Sequence, residues 1–202
     1  MKRFLQGLLM VSIVMDLSAV PRDPVLCEVT KKISLGSYKP SDLVSYKEIM
    51  VSRRIVPDLK KLLEAAHKAG LKLEVVSGYR SFERQVVLFD SYCEKERKKN
   101  PALTKSEAEE QANTYSARAG HSEHQLGTAV DILSAENGYQ FSCDKTLKYV
   151  GWLEKNAPLY NFRVSYPENS TEYQYEPWHV RWFPKGYLPT QNSLKIKSKA
   201  AS

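Results

Sequence analysis

The chain has 202 residues, 42% of them hydrophobic and 26% charged, with 30 Lys+Arg against 23 Asp+Glu for a formal net charge of +7. That is the composition of an ordinary globular protein long enough to bury a core as one domain, and it excludes a disordered or collagenous chain. Three cysteines are too few for a disulfide scaffold and lack zinc-finger spacing, and beyond the first residues no apolar run is long enough to cross a bilayer.

The chain opens on the basic Met1-Lys2-Arg3, and positions 4–15 are apolar apart from Gln6, Gly7 and Ser12. Ser18 and Ala19 supply small residues, so residues 1–19 read as an export signal cleaved after Ala19; Asp16 is an unusual charge at that place. The alternative is an uncleaved membrane anchor, for which the run is short. Residues 20–39 then form an N-terminal extension, 40–184 the folded domain and 185–202 a basic, flexible tail. Export would place Cys27, Cys93 and Cys143 in an oxidising compartment. Cys93 and Cys143 are the first choice for a pair, three free thiols the alternative. The positive charge suits an anionic polymer or membrane surface. No nucleic-acid-binding motif accompanies it, so no nucleic acid is expected as partner.

Ile55, Val56, Leu59, Leu62, Leu63 and Ala66 recur at helical spacing, with Pro57 at the tolerated start and Gly70 as the stop. Positions 71–76 alternate as a half-buried strand, and Ser77-Gly78-Tyr79-Arg80-Ser81 turns out of it. A second helix is predicted over 82–98. Thr104-Lys105-Ser106-Glu107 is a capping box that opens a third helix, running to about Tyr115. Residues 116–127 read as loop and 128–133 as strand. Ser142 is the expected cap of a helix carrying Leu147, Val150 and Leu153. Positions 160–166 and 178–183 alternate as two further strands. A helix before the first strand and two late strands close in sequence favour an α+β fold with an antiparallel sheet and flanking helices.

The chemistry lies in two short segments. The chain has four histidines, and two stand beside carboxylates: Ser122-Glu123-His124-Gln125-Leu126-Gly127-Thr128-Ala129-Val130-Asp131, and Glu176-Pro177-Trp178-His179. Strand alternation puts Trp178, Val180 and Trp182 on a core face and His179 on the other, with Glu176 three residues before it across a proline. Ala129 and Asp131 share a strand face, and Gly127 permits a close turn back to His124. Two imidazoles and one carboxylate, with a position left for water, make a candidate catalytic zinc centre, and a further carboxylate is what hydrolysis needs as proton acceptor.

The pattern Ser122-x-His124-x-x-Gly127-x-Ala129-x-Asp131 followed by Glu176-x-x-His179 resembles the zinc site of the D-alanyl-D-alanine carboxypeptidase family, the VanY-type peptidases related in fold to the hedgehog domain. Ser77-Gly78-Tyr79-Arg80-Ser81, with Gln85 a helical turn later, matches that family's substrate-side motif; three motifs in the right order are more specific than any one. The resemblance covers roughly positions 40–183. It implies one Zn2+ per chain, held by His124, Asp131 and His179. It implies Glu176 as general base and then acid, and Arg80 at the scissile carbonyl oxygen or the substrate carboxylate. Ser122 and Gln85 would complete the substrate side. The implied substrate is a peptidoglycan stem peptide; the export signal adds a periplasmic or extracellular, wall-associated location, and a monomer is expected. D,D cleavage of the pentapeptide is expected on the family name. L,D cleavage of the tetrapeptide and an endopeptidase are the alternatives, and an inactive zinc-containing wall-binding module is the alternative of another class. Neither the combined Ser-x-x-Lys, Ser-Asp-Asn and Lys-Thr-Gly set nor a Gly-x-Ser-x-Gly elbow, which would mark a serine route, is present.

Other residues read more simply. His67 is expected on the surface, His121 at the rim of the site, Glu123 as a solvated loop charge or else a residue that orients a metal ligand, and Trp178 and Trp182 in the core. Tyr173 and Tyr175 are expected to pack, and the 95–99 charge run to be a solvated helix end.

Overall fold

The alternating segments become the four strands of one antiparallel sheet in the computed structural model, which describes residues 23–187. The expected export signal with its cleavage point, and the tail beyond 187, lie outside the described residues. The elements are strands β1 (Leu43–Tyr46) and β2 (Ile49–Ser52), helix α1 (Val56–Lys68), β3 (Leu73–Ser77), α2 (Phe82–Lys99), α3 (Lys105–Ala112), β4 (Ala129–Ser134), α4 (Lys148–Asn156), β5 (Phe162–Val164) and β6 (His179–Trp182). The main sheet has the order β3-β4-β6-β5, and β1 and β2 form a separate hairpin. No helix of the described residues is long and apolar enough to cross a membrane.

The core lies on one face of the main sheet. Val130, Ile132, Val180, Trp182, Phe162 and Val164 pack there against Leu59 and Leu62 of α1 and Tyr149, Val150 and Leu153 of α4. The apolar positions of α1 are those its spacing predicts, and burying each such side chain is worth about 1.5–3 kcal/mol. A smaller cluster of Phe89, Cys93 and Ala112 joins α2 to α3. The capping box at α3 forms as predicted: Thr104 Oγ1 accepts from Glu107 N at 3.3 Å, and Thr104 N donates to Glu107 Oε2 at 2.8 Å.

Several expectations are corrected. α3 stops at Ala112, three residues before Tyr115, because Asn113 and Thr114 turn the chain out of the helix. Ser142 does not cap α4: its hydroxyl accepts from Asp144 N at 3.1 Å in a local turn, and the helix begins at Lys148 behind Leu147. β5 is only three residues long, since Asn161 takes a left-handed conformation just before it. Cys93 and Cys143 do not pair. Cys93 is buried against Phe89, Cys143 is exposed, and all three cysteines are free thiols.

The β1–β2 hairpin was not legible. Its two-residue turn is Lys47-Glu48, with φ of 47° and 71°. That is the positive-φ geometry such turns demand, made without the Asn-Gly or Asp-Gly that normally announces it.

Candidate active site

β4 and β6 lie side by side with Asp131 opposite His179. The alternation that sends Val130, Ile132, Val180 and Trp182 into the core therefore sends Asp131, His179 and Arg181 to the opposite face as neighbours. β3 flanks β4 on the other side and carries a bulge: Val75 pairs with Ile132 but Ser77 with Asp131. The extra residue brings Ser77 beside Asp131 and delivers Gly78 and Arg80 to the site.

The hairpin holds these loops from behind. Tyr79 N donates to Met50 O at 2.7 Å, and Ser52 N to Gly127 O at 2.8 Å. A Cβ on Gly78 would lie 2.5 Å from Met50 O, so only glycine fits there. Gly127, at φ +71°, closes the 3-10 turn Glu123–Leu126 that carries His124.

His124 Nδ1 lies 2.8 Å from Gly78 O, which can only accept. Nδ1 therefore carries the hydrogen, and Nε2 faces Asp131 Oδ2 at 3.3 Å. His179 is turned the other way: Nε2 is 3.0 Å from Glu123 Oε2, and Nδ1 is 3.1 Å from Asp131 Oδ1. The ligand atoms of His124, Asp131 and His179 all lie within 4.8 Å of one another. Two ligands about 2.0–2.1 Å from a tetrahedral zinc stand roughly 3.3 Å apart, so the donor set and its spacing fit that ion. Each histidine has its other nitrogen on a protein oxygen, the arrangement that fixes a ligand's tautomer.

All three residues are at most 5% exposed. Burial lowers the His124 pKa, while the Asp131 carboxylate opposes it. At His179 burial also acts downward, but hydrogen bonds and charge from Asp131 and Glu123 prevail and hold it up at about 10. The Asp131 carboxyl is held well below its usual range despite burial, by His124 and His179.

Glu176 Oε2 stands 4.0 Å from His179 Nδ1, and its side chain remains partly open to solvent. Burial pushes its carboxyl up to about 7, with Asp131 and Glu123 reinforcing the rise and His179 and Arg80 opposing it. Burial likewise pulls Arg80 down, against the attraction of Asp131 and Glu176. Arg80 donates from Nη1 to Gln85 Oε1 at 2.9 Å and from Nη2 to Ser77 Oγ at 3.4 Å. The other end of the Gln85 amide donates to Ala117 O at 2.6 Å, so both ends of this side chain are committed within the protein. Ser122 is 5% exposed and its hydroxyl does not cap the 3-10 turn that follows.

At Glu123 the first expectation is corrected and its alternative, a residue set against a ligating histidine, is what the contacts favour. Glu123 is buried rather than a solvated loop charge, and it bonds His179 with one oxygen and Arg181 Nη1 with the other, at 2.8 Å. Sequence reasoning missed Arg181 and Tyr166, whose ring stacks on His179 at 4.8 Å between centroids. The available signal for Arg181 was its place two residues after His179, hence on the same strand face. Trp182 is in the core as expected, but Trp178 is only half-buried and packs edge-on against the exposed Phe141. His67 is exposed, and His121 is no part of the ligand cluster. Tyr173 and Tyr175 pack, the first against Tyr166 and the second against the core.

Residues 48–185 match the D-alanyl-D-alanine carboxypeptidase (VanY) family. The chain is 39% identical over 176 residues to the putative carboxypeptidase YodJ of Bacillus subtilis, covering 80% of this chain and 60% of that one. It spans 47–60% of the length of the curated relatives it matches. Among solved structures it superposes, with TM-score 0.67 and 29% identity, on a mutant of the vancomycin-resistance D,D-pentapeptidase VanY in complex with Zn(II), covering 87% of this chain and 94% of that one. The LD-carboxypeptidase LdcB gives TM-score 0.67 and 33% identity over 88% of this chain and 83% of its own. The matched range contains every residue of the His124–Asp131–His179 cluster together with Arg80 and Glu176, and by that match the chain belongs to the VanY D-alanyl-D-alanine carboxypeptidase family, a family of zinc metallopeptidases.

Proposed function

We propose that this chain is a zinc-dependent D,D-carboxypeptidase that removes the terminal D-alanine from peptidoglycan stem peptides. The convergence of His124, Asp131 and His179, with the Glu176 carboxylate 4.0 Å from His179 Nδ1, carries this reading. Zinc held by those three side chains supplies water of lowered pKa and polarises the scissile carbonyl.

Each remaining role falls to a side chain in place. Glu176 takes a proton from the attacking water and returns it to the departing alanine amine as the C–N bond breaks; such acid–base help is typically worth about 10²–10⁴-fold. Arg80 faces the developing oxyanion or the substrate's free carboxylate, which a guanidinium binds with two parallel bonds. Gln85 and Ser77 hold that guanidinium in place. Ser122 offers its hydroxyl to the terminal carboxylate. The basic start and apolar stretch ahead of position 20 support export, so the enzyme would act outside the cytoplasmic membrane.

L,D cleavage of the tetrapeptide is the second reading, supported by the 33% identity to LdcB. An inactive wall-binding module is disfavoured, because such a module has no use for Glu176 beside three intact ligands.

Mass spectrometry of the chain from Val20, incubated with muramyl tetrapeptide and pentapeptide with and without chelator, tests this, with Glu176→Ala alongside. Loss of one alanine from the pentapeptide only, abolished by chelator and by the substitution, is the expected result. Loss from the tetrapeptide alone would reverse the substrate assignment and keep the mechanism. Cleavage of neither would remove the carboxypeptidase reading.

A further inference from the structure

The N-terminal segment before position 40 lies ahead of the range matched to the family. Its described part nevertheless runs across the back of the site. Arg181 is 3% exposed, and its guanidinium faces two ways. Nη1 donates to Glu123 Oε1 at 2.8 Å, while Nη2 donates to two main-chain oxygens of the segment, Val25 O at 2.9 Å and Cys27 O at 2.6 Å. Glu123 Oε2 in turn accepts from His179 Nε2 at 3.0 Å. An unbroken relay thus runs from the segment's carbonyls through Arg181 and Glu123 to a candidate metal ligand.

The same segment is fastened along the loop that carries the other histidine. His121 Nδ1 donates to Thr30 O at 2.8 Å, Leu35 N to Gly120 O at 2.7 Å, and Gln125 Nε2 to Gly36 O and Tyr38 O at 2.7 and 2.8 Å. Val25 is 5% exposed and belongs to the main core, so the segment is packed as well as bonded.

We infer that residues 23–38 are a working part of the metal centre, and that Arg181 is a positioning residue which transmits the segment's hold to His179 through Glu123. The inference rests on the zinc reading above. A buried carboxylate on the back of a ligating histidine fixes its tautomer and raises its basicity, and losing such a partner typically costs 10–100-fold in metal affinity. Glu123 can serve only while its own charge is matched and its second oxygen held, and Arg181 does both. The two carbonyls fix the guanidinium in turn, since buried donors are placed by their acceptors. The simpler role for Glu123–Arg181 is a buried ion pair that stabilises the fold alone. That role predicts a lower melting temperature with unchanged metal affinity.

The test uses the full chain and reads zinc affinity by competition with a chromophoric chelator, together with the visible absorption of the cobalt(II)-substituted protein. Arg181→Met is expected to weaken zinc binding about 10–100-fold and to alter the cobalt bands. Arg181→Lys, which reaches Glu123 but cannot hold both carbonyls, should fall between it and the wild type. Val25→Asp leaves every side chain of the relay in place but expels the segment from the core, and should weaken zinc in the same direction. Should either variant fail to fold, Glu123→Gln carries the same expectation. Zinc affinity within threefold of wild type and an unchanged cobalt spectrum, even with a lowered melting temperature, would overturn the inference. A wild-type chain that binds no zinc would overturn the metal reading itself and this inference with it.

Discussion

Replacing Gln85 with methionine separates two accounts of its role. Sequence similarity put Gln85 on the substrate side, whereas the structure commits its amide to Arg80 and to Ala117 O. Methionine conserves the volume of this 1%-exposed side chain but deletes the acceptor for Arg80 Nη1. Arg80 then keeps only the 3.4 Å contact to Ser77. A hydrogen bond to a charged group is worth about 1.5–3 kcal/mol. If that hold is needed to aim the guanidinium in the transition state, kcat/KM should fall roughly 10–150-fold, at about 1.4 kcal/mol per tenfold. The assay is alanine release from the stem peptide at saturating zinc, with kcat and KM determined separately. Arg80→Ala and the double variant complete a cycle. If Gln85 acts only through Arg80, the double variant should be no slower than Arg80→Ala alone. Additive losses would show that Gln85 meets the substrate directly and would refute the positioning argument.

Three further outcomes are expected. Zinc at 100 times its dissociation constant should stabilise the chain against urea by about 2.7 kcal/mol, and Asp131→Asn should lose most of that gain; equal stabilisation of both would place the ion elsewhere. Gly78→Ala drives a Cβ to within 2.5 Å of Met50 O, so the β3–α2 turn must move and take with it the carbonyl that holds His124. Stability should fall by about 1–3 kcal/mol, with weaker zinc binding, and a neutral result in both readouts would contradict the close approach. Glu48→Gly relieves a non-glycine residue at φ +71° in the hairpin turn and should raise unfolding free energy by about 1 kcal/mol in denaturant titration; no change, or a loss, would mean that the turn carries no strain.

Much of this protein is legible in its sequence alone. The spacing of Ile55, Leu59, Leu62 and Ala66 determined α1 and its buried face, because a 3.6-residue period needs only local sequence to be seen. The Thr104–Glu107 capping box marked the start of α3 for the same reason. Two-residue alternation at 129–131 and 178–182 placed Asp131 and His179 on one kind of face and Val130 and Val180 on the other. What alternation cannot specify is which strand lies beside which. The pairing of Asp131 with His179, 48 residues apart, belongs to β4–β6 register, and the presence of Ser77 beside them belongs to a bulge that no periodicity marks. The hairpin stayed hidden because Lys47-Glu48 makes its turn at positive φ without the usual residues. Glu123 looked like a solvated loop charge because a carboxylate in a short irregular segment carries no local sign of burial. Its place was decided by Arg181 from the far end of the chain and by the carbonyls of Val25 and Cys27, which supply the charge and hydrogen bonds without which a buried carboxylate could not be held.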